Sequence, residues 1–128
     1  MPAFRAAQVI LFSDDLPRAV AFYSALGFAE TFRVPADGEP IHVDLVLGGY
    51  KIGIATAASA REDHGLTPIA EGQRVTVVLW TDDTASAYAE LAASGAPALA
   101  APHVFLGRLL IAWTADPDGN PIQIVQAL

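Results

Sequence analysis

An internal repeat constrains the fold of this chain more than any other feature. Residues 11–28 read LFSDDLPRAVAFYSALGF, and residues 79–96 read LWTDDTASAYAELAASGA. Each copy joins the end of a short apolar run to an acidic turn, then to a stretch with helical spacing, and then to a glycine that can end a helix. Because strand, cap, helix and stop occur twice, we predict two similar modules.

Each copy is followed by three further strand-like segments separated by turn residues. In the first half they are 30–34, 41–47 and 51–56, and in the second half they are about 98–101, 109–114 and 122–126. With the opening strands at 8–12 and 76–81, each half reads β-α-β-β-β. We therefore predict an α+β fold in a single domain, with module one at 6–57, a polar linker at 58–73 and module two at 74–128.

Composition limits the partners and the compartment of the protein. The net charge of the 128 residues is −7, and no Lys/Arg cluster offsets it locally, so we expect neither nucleic acid nor membrane as a partner. The chain has no cysteine, which removes disulfides and thiol chemistry. No segment approaches the roughly 20 apolar residues of a membrane span. We expect a cytoplasmic protein.

The repeat, together with DPDGNPIQIV at 116–125, resembles the vicinal oxygen chelate superfamily. This superfamily includes glyoxalase I, extradiol dioxygenases, fosfomycin-resistance enzymes and bleomycin-resistance proteins. The resemblance implies that each module folds its mixed sheet into a half-open cup. It also implies that a homodimer completes the cavity.

The resemblance locates four positions at which metal-dependent relatives carry His, Gln or Glu ligands. In this chain they are Gln8, Gly53, Thr76 and Gln123. A divalent ion generally needs imidazole or carboxylate donors, whereas glycine has no side chain and Gln and Thr are weak neutral donors. We therefore expect no metal and no other cofactor.

The remaining candidates for binding or chemistry are polar and aromatic side chains. His42 and Asp44 alternate in IHVDLVL and so project from one face of a strand, where they could serve structural hydrogen bonding, ligand contact or acid–base catalysis. Aromatic rings can stack on a planar ligand, although on strands they also serve as core residues. We place His103 and Phe105 in a loop that could close over the cavity. The predicted ligand-binding residues are Gln8, Phe12, Phe32, His42, Asp44, Thr76, Trp80, His103, Phe105 and Trp113, and no catalytic residue is predicted.

These features favour a binding protein that resembles the bleomycin-resistance type. It would sequester a large, partly planar natural product in an aromatic-lined hydrophobic cleft without transforming it, as a device of antibiotic resistance or self-resistance. Two alternatives stay open. One is a glyoxalase-like lyase or isomerase, or a dioxygenase-type enzyme, with an atypical site. The other is a subunit whose cups are filled by their own core.

Overall fold

The computed structural model describes residues 3, 5–69, 71–72 and 74–128, and the chain divides into two compact units, Met1–Pro68 and Ile69–Leu128. The first unit contains β1 (Val9–Ser13), α1 (Leu16–Ala25), β2 (Ala29–Val34), β3 (His42–Leu47), β4 (Tyr50–Thr56) and α2 (Ala57–His64). The second unit contains β5 (Val77–Trp80), α3 (Thr84–Ala93), β6 (Ala100–Phe105), β7 (Leu109–Ala115) and β8 (Pro121–Ala127).

The two units have the same sheet topology. Strand order is β1-β4-β3-β2 in the first sheet and β5-β8-β7-β6 in the second. In each sheet the opening strand pairs in parallel with the last one, and the other neighbours are antiparallel. The predicted α+β fold with two β-α-β-β-β repeats is confirmed, and both sheets are mixed and open.

The repeated motif forms the same helix start and stop in both units. Asp15 caps α1 by accepting the backbone N–H three residues on, at 3.2 Å, and Asp83 caps α3 in the same way at 3.0 Å. Gly27 and Gly95 follow the helix ends with φ of 108° and 99°, in the left-handed region that favours glycine. The duplicated acidic turn and glycine therefore have a local structural cause.

In the first unit, α1 packs on one face of the sheet. Tyr23 of α1 is fully buried, with its ring edge-on to Phe22 and Phe28 at centroid distances of 5.3 and 5.5 Å. Val43 and Leu45 of β3 are fully buried on the covered face. The alternate residues of the strands point to the opposite face, which we call the distal face of the first sheet.

The second sheet is covered by α3 in the equivalent way. The backbone N–H of Thr84 in α3 donates to Oε1 of Gln126 at 2.7 Å, and the Thr84 hydroxyl donates to the Leu110 carbonyl at 3.0 Å. The side chain of Gln126 therefore points toward α3, as do those of Ile122 and Ile124 by alternation along β8. Gln123 and Val125 lie on the distal face of the second sheet.

The predicted linker contains a helix that the sequence analysis did not include. Thr56 caps α2 by accepting the Ser59 N–H at 3.1 Å, the Ser59 hydroxyl donates to Asp63 at 2.6 Å, and Gly65 ends the helix in a left-handed conformation. The polar composition of residues 58–64 suggested a loop, but alanine and the charged residues with long side chains favour a helix.

In the part of the chain that the structure describes, no helix is long and apolar enough to cross a membrane.

The predicted loop around His103 and Phe105 is wrong, because both residues lie in β6. Pro102 lies in β6, which stands at the end of the strand order in its sheet, next to β7. Proline is tolerated in edge strands, where its missing N–H is not needed, and the pairing with β7 shifts register between Ala100 and His103. These residues therefore form part of a sheet edge and not a loop over a cavity.

Candidate functional site

Two adjacent rows of side chains cross the distal face of the first sheet. By register, the first row is Phe32, Asp44, Gly53 and Ile10, and the second row is Val34, His42, Ala55 and Phe12. His42 and Asp44 therefore share this face, as their alternation along β3 predicts. Polar groups stand in the middle of the face with apolar side chains on both sides.

Three polar side chains on this face form one hydrogen-bonded cluster. Asp44 Oδ1 lies 2.7 Å from His42 Nε2 and accepts a hydrogen bond from Gln8 Nε2 at 3.0 Å. The Asp44 side chain is 12% exposed and that of His42 is 24% exposed, so both are largely shielded from solvent. We call this arrangement the Gln8–Asp44–His42 cluster.

The charge of Asp44 determines how the cluster is protonated. Burial raises the pKa of the Asp44 carboxyl, but hydrogen bonds from His42 and Gln8, together with the charges of Lys51 and of protonated His42, outweigh burial and lower that pKa below its ordinary value. At neutral pH the carboxylate is therefore ionised and only accepts hydrogen bonds. His42 Nε2 must carry the proton that it shares with Asp44, so whenever the ring is neutral its Nδ1 has a lone pair that can accept a hydrogen bond.

Gly53 lies beside the cluster and is one of the four positions at which metal-dependent relatives carry a metal ligand. A Cβ atom at residue 53 would lie 2.9 Å from His42 Cε1, 3.1 Å from His42 Nε2 and 3.1 Å from Gln8 Nε2. The imidazole and the amide therefore occupy the space in which a side chain at residue 53 would begin. A ligand side chain at residue 53 would require the imidazole and the amide to shift, and Gln8 is already engaged with Asp44.

The two ligand positions in the second unit also carry residues that are poor metal ligands. Thr76 and Gln123, at the two remaining positions, offer only a hydroxyl and an amide, which are weak donors for a divalent ion. Across residues 3, 5–69, 71–72 and 74–128, no three His, Cys, Asp or Glu side chains are grouped so that they could hold a metal ion. The residues at the four positions therefore do not fit the metal of the metal-dependent relatives.

Gly53→Ala is expected to displace His42 and to lower the free energy of unfolding by about 1 kcal/mol, because the new methyl group overpacks the cluster and opens the His42–Asp44 hydrogen bond. Urea unfolding measures the stability, and the imidazole ¹⁵N resonances of His42 report the broken bond. In a His42→Ala background the closest of these contacts is absent and only that with Gln8 remains, so the same glycine substitution should cost much less. Unchanged stability and unchanged His42 resonances in Gly53→Ala would contradict the contact.

In the second unit the distal face carries most of the predicted aromatic residues. Register places Val78, Gln123 and Trp113 in one row, and Trp80, Val125, Ile111 and His103 in the next. Trp80 is 68% exposed at the end of β5 and, with Thr81, Asp82 and Ala127, lines an open depression of about 350 Å³. This face therefore offers an exposed indole.

The structure brings four of the predicted site residues together. Gln8, Asp44 and His42 form the cluster, and the Phe32 ring lies edge-on to the His42 ring at a centroid distance of 6.5 Å. Phe12 lies half-buried in β1, in the same row as His42.

The other predicted residues lie in the second unit. Thr76 directly precedes β5 and is half-buried, and Trp113 is half-buried in β7. His103 and Phe105 are exposed in β6, and His103 Nδ1 lies 2.8 Å from the carbonyl oxygen of Ala101.

Sequence analysis missed two aliphatic residues on the distal face of the first sheet. Ile10 is 43% exposed and Val34 is 38% exposed, and they stand at the edges of the rows that contain the cluster. Aliphatic residues on strands are usually assigned to the core. Alternation with Gln8 and Phe12 was the signal that could have placed Ile10 on this face.

Comparisons with known proteins agree with this fold. The sequence profile of the Glyoxalase/Bleomycin resistance protein/Dioxygenase superfamily matches residues 5–124. A search of curated protein sequences finds no match to the chain.

Several solved structures are similar over almost the whole chain. Hypothetical protein SA1046 from S. aureus has a TM-score of 0.82 at 20% identity, covering 98% of this chain and 95% of its own. TioX from Micromonospora sp. ML1 has a TM-score of 0.77 at 22% identity, covering 98% of this chain and 100% of its own. Lactoylglutathione lyase from Agrobacterium tumefaciens has a TM-score of 0.71 at 22% identity, covering 98% and 95%. At these identities the likeness shows the fold alone.

Proposed function

Because the chain belongs to the glyoxalase/bleomycin resistance protein/dioxygenase superfamily, we propose that it works as one of the metal-independent binding proteins of this fold. It binds a large, partly planar natural product on the distal face of its first sheet and holds the compound unchanged. Sequestration of this kind serves antibiotic resistance or self-resistance. A homodimer that encloses the ligand is part of the proposal.

One observation carries the proposal. At residue 53, where a ligand side chain would project in a metal-dependent relative, the chain has a glycine whose side-chain space is occupied by His42 and Gln8. The cluster is organised by Asp44 and directs its donors inward, to that carboxylate. Around it stand the exposed apolar groups of Ile10, Phe32 and Val34, which is the composition of a small-molecule site with few polar anchors.

The apolar surface is sufficient for useful affinity. Burying about 300 Å² of apolar ligand surface at roughly 25 cal/mol per Å² contributes on the order of 7 kcal/mol before the entropy losses of binding. A ring stacked on Phe32, which is 53% exposed, adds roughly 1 kcal/mol beyond the buried area. Micromolar binding of a planar compound is therefore within reach.

A second candidate function is metal-free acid–base catalysis. The observation that favours it is the His42–Asp44 pair, whose 2.7 Å contact and partial burial resemble the way in which a general base is oriented. An enzyme would convert many equivalents of compound, whereas a sequestering protein binds one equivalent per site and releases it unaltered. Mass spectrometry of the recovered compound separates the two functions.

A thermal-shift screen against planar antibiotics, followed by calorimetric titration of the compounds that bind, tests the proposal. A compound at ten times its dissociation constant should stabilise the protein by about 1.4 kcal/mol. Phe32→Ala should weaken its binding about tenfold, because it removes both buried area and a stacking partner. Tyr50→Ala is the matched control, since Tyr50 is 82% exposed and lies on the other face of β4. Failure of every planar compound to stabilise the protein, or equal weakening by both variants, would oppose the proposal.

A further inference from the structure

His42 has one ring nitrogen that the cluster does not use. Its Nε2 is bonded to Asp44, and its Nδ1 makes no hydrogen bond to any residue that the structure describes. About a quarter of the side chain, 24%, is exposed. A nitrogen lone pair that is held in place and has no protein partner is available to a ligand.

The orientation of the ring follows from its neighbours. The Cε1–Nε2 edge lies over Gly53, 2.9 and 3.1 Å from the position of an added Cβ, so the imidazole extends across the sheet from β3 toward β4. The bond to Asp44 keeps the proton on Nε2 and holds the ring against rotation. A ligand therefore meets an oriented hydrogen-bond acceptor, with no entropy lost in arranging it.

The surroundings of Nδ1 indicate the kind of ligand that it suits. Phe32 faces the imidazole ring from β2, and Ile10 and Val34 are exposed in the same two rows. An aromatic body can lie against these apolar groups. A neutral N–H or O–H group at the edge of that body can donate to Nδ1, which a methylated group at the same position cannot do.

We propose that His42 Nδ1 is the polar recognition point of the distal face of the first sheet, and that it accepts a hydrogen bond from a neutral donor group on an aromatic ligand lying against Phe32. This inference rests on the proposed binding function and adds the ligand class and the recognising atom. In this arrangement Asp44 and Gln8 are positioning residues, because they act on the ligand only through the imidazole.

A matched pair of probes, 2-naphthol and 2-methoxynaphthalene, tests the inference on the full chain by calorimetric or fluorescence titration. The two compounds share the aromatic body and differ in whether the oxygen carries a proton. The protein should bind 2-naphthol about fivefold to tenfold more tightly, the range expected for one net hydrogen bond. The ¹⁵N resonance of His42 Nδ1 should shift with 2-naphthol and not with its methyl ether.

His42→Lys is the informative variant, because the lysine ammonium can still donate to Asp44 while it offers no hydrogen-bond acceptor in place of Nδ1. It should bind the two probes with equal affinity. His64→Lys is the matched control: His64 is exposed at the end of α2, so this variant should keep the preference of the unmodified chain.

The outcomes separate this inference from the function on which it rests. Equal binding of both probes by the unmodified chain, or a preference that survives in His42→Lys, overturns the role of Nδ1 and leaves the binding function standing. Binding of neither probe, in a protein that also fails to bind planar antibiotics, overturns both. The comparison on the unmodified chain requires no variant and so does not depend on how well His42→Lys folds.

Discussion

Asp116→Ala is expected to lower the free energy of unfolding by about 3 kcal/mol, because it leaves several buried donors without an acceptor. Asp116 is 3% exposed, and its carboxylate accepts the backbone N–H groups of Asp118 and Asn120 at 3.0 and 2.8 Å and the Asn120 side-chain amide at 2.8 Å. Asn120 is itself 2% exposed, so water cannot readily replace the lost acceptor.

Urea unfolding of three variants tests this effect. Asp37→Ala, in the exposed turn between β2 and β3, is the control and should change stability by less than about 0.5 kcal/mol. The loss of stability in Asp116→Asn should lie between the losses in Asp37→Ala and Asp116→Ala. The oxygen of the new amide can still accept from the backbone donors, but its NH₂ group faces the NH₂ group of Asn120 and cannot accept from it. A loss near zero in Asp116→Ala would mean that the two backbone hydrogen bonds between Asp116 and residues 119 and 120 are sufficient to hold the turn.

Asp44→Ala is expected to lower the free energy of unfolding by about 2 kcal/mol at neutral pH, since the donors of His42 and Gln8 lose a charged acceptor in a largely shielded position. The variant should also lose the preference for 2-naphthol, because nothing then holds the imidazole in place. Lys51→Gln, which removes a charge that acts on Asp44 and no hydrogen bond of Asp44, should have a much smaller effect on stability. Equal effects of the two substitutions would show that charge, and not hydrogen bonding, governs the cluster.

The contribution of Asp44 should depend on pH with a defined sign. The pKa of this carboxyl is lower in the folded protein than its ordinary value of 3.8, so folding favours the ionised form. Its stabilising effect is therefore present above pH 3.8 and is lost as the pH falls through the folded-state pKa, which lies below that value. Urea unfolding of the unmodified chain and of Asp44→Ala should give a stability difference that shrinks as the pH falls below about 4. A difference that grows as the pH falls below that value would contradict the assignment.

Local chemistry accounts for most of what the sequence predicted of the fold. The acidic caps, the glycines after α1 and α3, and the period of two along the strands each depend on residues close together in the chain, and all are found in the structure. Two assignments are wrong: the segment of α2 as part of a linker, and the segment with His103 and Phe105 as a loop. The first segment is polar although its alanines favour a helix, and the second forms an edge strand that accommodates Pro102.

The candidate site was predictable only in part. Alternation placed His42 and Asp44 on one face, because that relation lies within a single strand. The contact between Gln8 and Asp44 joins β3 to the residue just before β1, and it depends on the order of strands in the sheet and on their register. Neither can be read from one sequence. The close approach of His42 to Gly53 likewise requires knowing which residues lie side by side across β3 and β4.

The shared space of Gly53 and His42 also means that residues 53 and 42 cannot be substituted independently of each other. A mutation that introduces glutamate or histidine at residue 53 requires the imidazole to move, while loss of that imidazole alone leaves position 53 without a donor. A metal ligand engineered at residue 53 would therefore call for a change at residue 42 as well.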